Sequence, residues 1–307
     1  MSLIVVGSMA FDAIETPFGK SDKIIGGAAT YIAWSASNFT RPIKQISVVG
    51  GDFPNEELKM LEARGVVLEG VQVKENERSF FWSGRYHLDM NTRDTLETQL
   101  NVLGTFKPVV PESYQDCEFV MLGNLAPAVQ LSVISQLKNK PKLIVLDTMN
   151  FWMDTAMPDL EKVLKKVDVL LVNDAEARQL TGQYSLVSAA KAIMEMGPKY
   201  LIIKKGEHGA LLFFEEQVFF APALPLEVVF DPTGAGDTFA GGFIGHLART
   251  RDTGFENMKS AIIVGSAMAS FCVEKFGTTR LKELKREDID NRIQRFKELT
   301  KFEIELG

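Results

Sequence analysis

Residues 231–242 read Asp-Pro-Thr-Gly-Ala-Gly-Asp-Thr-Phe-Ala-Gly-Gly. They follow a short apolar run at 226–230 and open a helical pattern over 238–248. A glycine-rich turn at a helix start leaves backbone N–H groups without acceptors, and the helix dipole adds partial positive charge there. Such a turn can hold a phosphate, or the charge that develops on a phosphoryl group in transit. Gly234 and Gly236 let a ligand approach closely, with the N–H groups of Ala235, Gly236 and Asp237 as candidate donors. Asp237 is the unexpected member, because a carboxylate repels a bound phosphate unless it has separate work. Accepting the proton of an attacking hydroxyl is that work. The plain alternative is a capping carboxylate on a tight turn. Ala240, Gly241 and Gly242 extend the string with small residues that allow close helix packing, and the whole string predicts a phosphoryl-transfer site.

A turn of this kind needs a rigid frame, and the chain is long enough to supply one. Its 307 residues are 46% apolar and 24% charged, an ordinary balance for a soluble protein with a sizeable core. The net charge of −6 argues against a nucleic-acid surface. Cys117 and Cys272 lie far apart in apolar surroundings, so free buried thiols and a reducing cytoplasm are expected. The N-terminal Met-Ser-Leu-Ile-Val-Val-Gly lacks the basic start of a signal peptide, and the uncharged run at 260–273 is too short to span a bilayer. No membrane partner is expected. His87, His208 and His246 show no metal spacing. There is no P-loop, and Gly-Ser-Met-Ala-Phe after the first strand is not a dinucleotide fingerprint.

Short apolar runs at 3–7, 45–50, 118–123, 142–147, 167–173 and 200–204 read as buried strands. Helical patterns such as 28–39, 55–64 and 128–138 separate them. The alternation predicts an α/β fold: a doubly wound, mostly parallel sheet flanked by helices. Residues 209–214 and 217–221 read as a terminal hairpin. Segments 11–25 and 70–103 interrupt the pattern, the second with an alternating Ser79-Phe-Phe-Trp-Ser-Gly-Arg-Tyr-His run. Together they are expected to form a small β-lid, and the chain from 1 to 307 a single domain. In an open parallel sheet the ligand crevice lies at the carboxyl ends of the strands. Asp12, Asn124, Asp147, Asn173, Asp174 and Glu176 all fall at or just beyond such ends.

The 231–242 string resembles the C-terminal signature of the ribokinase-like (PfkB) carbohydrate kinases, where it forms an anion hole and carries the catalytic base. The resemblance implies a ribokinase-like fold and transfer of the γ-phosphoryl group of ATP to a hydroxyl of a sugar or sugar-like molecule. Gly7 to Asp12 with Gly26-Gly27 resembles the family's N-terminal part, which implies substrate contacts at Asp12, Gly26 and Gly27, with Asn124 beyond a later strand. Asn173-Asp-Ala-Glu176 resembles the family's Asn-x-x-Glu motif, implying Mg2+ positioned through water by Glu176. Lys204-Lys-Gly206-Glu-His-Gly209 resembles its nucleotide turn, with Lys204 where Thr is usual. Phe276-Gly277-Thr278 matches a loop that closes over adenine. Asp231 and Thr233 fall where some members bind a monovalent cation such as K+, and Thr233 is also counted with the nucleotide site. The chain departs from ribokinases at Ala28 and Tyr31, which stand in place of a lysine and an asparagine. Ribose is therefore in doubt, and Tyr31 is expected to shape a different pocket. A nucleoside kinase of the same fold (adenosine, cytidine or inosine type) is the nearest alternative, followed by a non-catalytic sugar- or nucleotide-binding regulator and a vitamin kinase. A homodimer through the lid is the expected assembly.

Overall fold

The apolar runs form the strands of two sheets in the computed structural model, which describes residues 2–301 and 303. Residues 1, 302 and 304–307 of the expected single domain lie outside the described residues. In chain order the strands are β1 (Leu3–Val6), β2 (Ala10–Thr16), β3 (Gly19–Gly26), β4 (Ile43–Gly50) and β5 (Val66–Lys74). They continue with β6 (Phe80–Tyr86), β7 (Arg93–Gln99), β8 (Phe119–Leu122), β9 (Leu143–Asp147) and β10 (Val169–Asn173). The last are β11 (Tyr200–Lys204), β12 (Ala210–Phe214) and β13 (Gln217–Ala221).

The large sheet has the order β13-β12-β11-β10-β9-β8-β1-β4-β5. Every pairing from β11 to β5 is parallel, and β12 and β13 close one end as an antiparallel hairpin. Both faces are covered. In β1 the alternate residues Leu3 and Val5 join one apolar layer, while Ile4 and Val6 join the other. Period-2 alternation between two buried faces is why these strands read as continuous apolar runs. The first layer packs against the helices Ala28–Ala36, Ala235–Thr250 and Phe255–Cys272; the first is buried throughout and the second from Thr238 to Ala248. Gly241 and Gly245 face the helix Ala28–Ala36, where a Cβ on Gly241 would collide with the Ile32 carbonyl. The small residues of the signature thus set the distance between helices.

Chain order reverses at β1, which lies between β8 and β4. This switch point opens a crevice at the strand ends. The second sheet, ordered β3-β2-β6-β7, continues directly from the end of β1. Its strands fall largely within segments 11–25 and 70–103, with different limits. Residues 70–74 belong to β5 of the large sheet, and 101–105 form a short 3-10 turn. Ser79 marks the departure: its hydroxyl accepts from Gly50 N–H at 2.9 Å and its own N–H donates to Asp52 at 2.8 Å. Among the described residues no helix is long and apolar enough to cross a membrane. Both cysteines are free and buried.

Candidate active site

The signature begins on an anchor. Asp231 is fully buried, and its two carboxylate oxygens accept N–H groups from Thr233 at 2.8 Å and Gly277 at 3.0 Å. One side chain therefore ties the turn to the Phe276-Gly-Thr loop. Gly234 then takes a left-handed conformation, with φ of 75°, as the N-cap of the helix Ala235–Thr250. A Cβ there would run into the Tyr31 ring, so glycine is required both by backbone conformation and by space. The helix starts three residues before the predicted 238, which places Ala235, Gly236 and Asp237 in its first turn. Ala235 N–H donates to the Pro232 carbonyl at 3.1 Å, whereas Gly236 and Asp237 N–H find no backbone acceptor elsewhere among the described residues. Of the three expected donors, the turn itself uses Ala235.

Two groups of charge meet at Asp237. On one side lie Asp12 and Asp231. Asp12 is 5% exposed, on a bulged stretch of β2 beside Gly26, where a side chain would overlap its carboxylate. Burial, with the negative charges of Asp231 and Asp237, pushes Asp12 up to about 8, and a hydrogen bond from the Gly27 backbone only partly offsets this. On the other side, Lys204 Nζ lies 3.0 Å from Asp147 Oδ1. Burial also raises the Asp237 carboxyl above the usual carboxylate range; Asp147 adds to the shift, while Lys204 and Arg93 oppose it.

Asn173 and Glu176 form a reciprocal capping box on the helix Asp174–Thr181. Glu176 N–H donates to Asn173 Oδ1 at 2.8 Å, and Asn173 N–H donates to Glu176 Oε2 at 2.7 Å. Glu176 Oε1 is left outside the box. Burial pushes this carboxyl up to about 7 against the pull of Lys204. Among the described residues no group of three acidic, histidine or cysteine ligands could by itself hold a metal. A hard ion kept largely by water and phosphate oxygens, with one free carboxylate oxygen nearby, fits this donor set.

A cavity of about 610 Å3 runs along the start of the signature helix. Lys204, Gly206, Gly209, Ala235 and Gly236 line it, together with Asn91 from the β6–β7 turn. Gly206 has φ of 54°, and a side chain there would collide with Asn91 Oδ1. The second sheet thus reaches the cavity as well as the switch point. Its Tyr86 hydroxyl accepts from Thr233 Oγ1 at 3.2 Å.

Two expected site residues make contacts within the fold. Tyr31 is 1% exposed and packs beneath Gly234; its hydroxyl has no partner among the described residues. It supports the turn and presents no face to a pocket, which corrects the expectation of a pocket-lining aromatic. Asn124 has both ends of its amide engaged, accepting from Trp152 Nε1 at 2.8 Å and contacting Met149 Sδ at 3.0 Å. It secures a loop beside the crevice. Asp147 and Tyr86 were not counted as site residues from sequence. Asp147 was visible as the polar end of an apolar strand, while nothing local marks Tyr86.

Tyr31→Phe removes a buried hydroxyl without a partner, so stability in urea unfolding should hold or rise, by up to about 1–3 kcal/mol. A clear loss would mean that the hydroxyl is satisfied. Asp12 gives a pH-dependent prediction. Its folded pKa of about 8 exceeds the unbound value of 3.8, so folding binds a proton. Its contribution to stability therefore falls as pH rises between those values and is level above them. The melting-temperature advantage of Asp12→Asn over the parent should grow from pH 5 to pH 8. An equal difference at both pH values would contradict the placement of Asp12.

Comparison with known proteins agrees with this geometry. The model of the pfkB family carbohydrate kinases matches residues 2–285. The chain is 28% identical over 283 residues to the cytidine kinase of Thermococcus kodakarensis, covering 90% of this chain and 98% of that one. It is 25% identical over 305 residues to the nucleoside kinase of Methanothermobacter thermautotrophicus, covering 90% of each. A ribokinase II candidate from E. coli, crystallised with ATP and Mg2+, shares the fold with a TM-score of 0.79 at 21% identity, over 96% of this chain and 99% of that one. From its signature turn to its strand order, the chain belongs to the pfkB family of carbohydrate kinases.

Proposed function

We propose that this kinase is a single ribokinase-like domain that phosphorylates a sugar hydroxyl of a nucleoside, using ATP with Mg2+. The observation that carries the nucleoside reading is similarity along nearly the full length of two relatives named as cytidine and nucleoside kinases. Ala28 agrees with it, since the position lacks the lysine that ribokinases place beside the sugar. Free sugar is the second reading, favoured by Asp12 and the Gly26-Gly27 backbone, which suit neighbouring hydroxyls of any polyol.

In this reading Asp12 and Gly26-Gly27 hold the ribosyl hydroxyls, and the second sheet excludes water above them. Asp237 orients the acceptor hydroxyl and takes its proton. The N–H groups of Gly236 and Asp237 face the phosphoryl group in transit. ATP occupies the cavity between Gly206, Gly209 and the signature helix, while Gly277, expected over adenine, is tied to Asp231 beside Ile24. Glu176 and Asn173 are the protein groups that would stand near Mg2+, which would supply neutralisation of phosphate charge there. A monovalent cation would take Asp231 and Thr233, whose oxygens lie at the same turn. The reading places the enzyme in the cytoplasm, without nucleic-acid or membrane partners, as a homodimer through the second sheet, where Leu96 and Leu100 are exposed.

The test is ATP consumption by purified protein with Mg2+, in K+ and in Na+, against nucleosides, free sugars and sugar acids. Cytidine or another nucleoside should be turned over, and Asp237→Asn should lower turnover by at least about 100-fold while retaining ATP binding. Turnover of free sugars alone would select the second reading, and near-normal turnover in Asp237→Asn would remove that residue from its role.

A further inference from the structure

We propose that Lys204 is a catalytic residue that contacts the phosphoryl group in transit, with Asp147 as its positioning residue. This rests on the kinase reading above and assigns a role beyond nucleotide binding. Lys204 ends β11 and Asp147 ends β9, with β10 between them. The lysine therefore reaches back across a strand to make its 3.0 Å contact with Asp147. The Asp147 side chain is 8% exposed and that of Lys204 18%. An ammonium has three donors, and Asp147 is the one hydrogen-bond partner of Nζ among the described residues. Two N–H groups remain for a ligand.

Their location identifies the ligand. A Cβ built on Gly236 would stand 3.1 Å from Lys204 Nζ, so the ammonium lies against the first turn of the signature helix. Lys204 and Gly236 also line the same cavity wall. The nearby ionisable groups Asp147, Glu176 and Asp237 are acidic and keep the lysine charged, against the cost of its burial. Positive charge at the junction between nucleotide cavity and Asp237 is where a phosphoryl group must pass. There the bond from phosphorus to the ADP oxygen breaks as the bond to the acceptor oxygen forms, and the hydroxyl proton passes to Asp237. Lys204 forms no covalent bond; it stabilises charge on the non-bridging oxygens, which grows in the transition state. The competing explanation is that Lys204 merely neutralises Asp147. That pairing would suffice anywhere along the strand ends and gives no reason for contact with Gly236.

The experiment compares the parent enzyme with Lys204→Met, Asp147→Asn and the double variant, since Lys204→Met alone leaves a buried carboxylate unpaired. Three quantities are read in each: kcat, affinity for a non-hydrolysable ATP analogue with Mg2+, and affinity for ADP with aluminium fluoride, which mimics the phosphoryl group in transit. Lys204→Met should lose about 100- to 1,000-fold in kcat and in affinity for the fluoride complex, with analogue affinity within about threefold of the parent. The double variant should match Lys204→Met within about threefold, because Asp147 acts through the lysine. A kcat within about threefold of the parent in both lysine variants would overturn the proposal. So would equal loss of affinity for both nucleotide complexes, which marks a ground-state contact. The two binding measurements need no turnover, so they decide on Lys204 even if the nucleoside reading fails.

Discussion

A single buried carboxylate determines where the phosphoryl-transfer turn stands. Asp231 takes one N–H from Thr233 within the turn and one from Gly277 in a loop 46 residues away. Its backbone and that of Phe230 are themselves held by the Val273 carbonyl at the end of the helix Phe255–Cys272. The turn is thus set by hydrogen bonds to rigid elements before any ligand binds. Gly234 then bends the chain over the Tyr31 ring, and the helix begins with Gly236 and Asp237 facing the crevice. Preorganised donors of this kind act without reorganisation when charge develops.

The arrangement concentrates acid. Asp12, Asp231 and Asp237 oppose one another's ionisation, and burial raises all of them. Such a cluster opposes folding at neutral pH, and function is the physical reason for retaining it. Lys204 and Arg93 supply positive charge that opposes the shift at Asp237. The strong upward shift of Asp12 comes first from its burial, then from the charges of Asp231 and Asp237. Two charge groups, the acids Asp12 and Asp231 and the Lys204–Asp147 pair, flank Asp237.

Much of this was legible in the residues. The parallel sheet followed from runs such as Leu3–Val6, because a strand buried on both faces cannot alternate in polarity. The alternating run from Ser79 to His87 pointed to strand structure, and β6 occupies it. What escaped depended on distant contacts. The helix start at Ala235 depends on the left-handed Gly234, which a period of apolar residues does not report. Tyr31 read as a pocket residue because it stands where ribokinases have an asparagine, yet the helix turns it under Gly234. The Lys204–Asp147 pair joins residues 57 positions apart. Residues 70–74 read as lid because β5 is half exposed at the edge of the large sheet, where polar and apolar residues mix as they do in a hairpin.

Phosphorus NMR of the protein with ATP, Mg2+ and cytidine tests the central claim most directly, because it reports where the phosphoryl group goes. The account predicts a phosphomonoester resonance, coupled to sugar protons, growing in step with ADP and absent with Asp237→Asn. Inorganic phosphate growing in step with ADP, with no phosphomonoester from any nucleoside or sugar supplied, would contradict it.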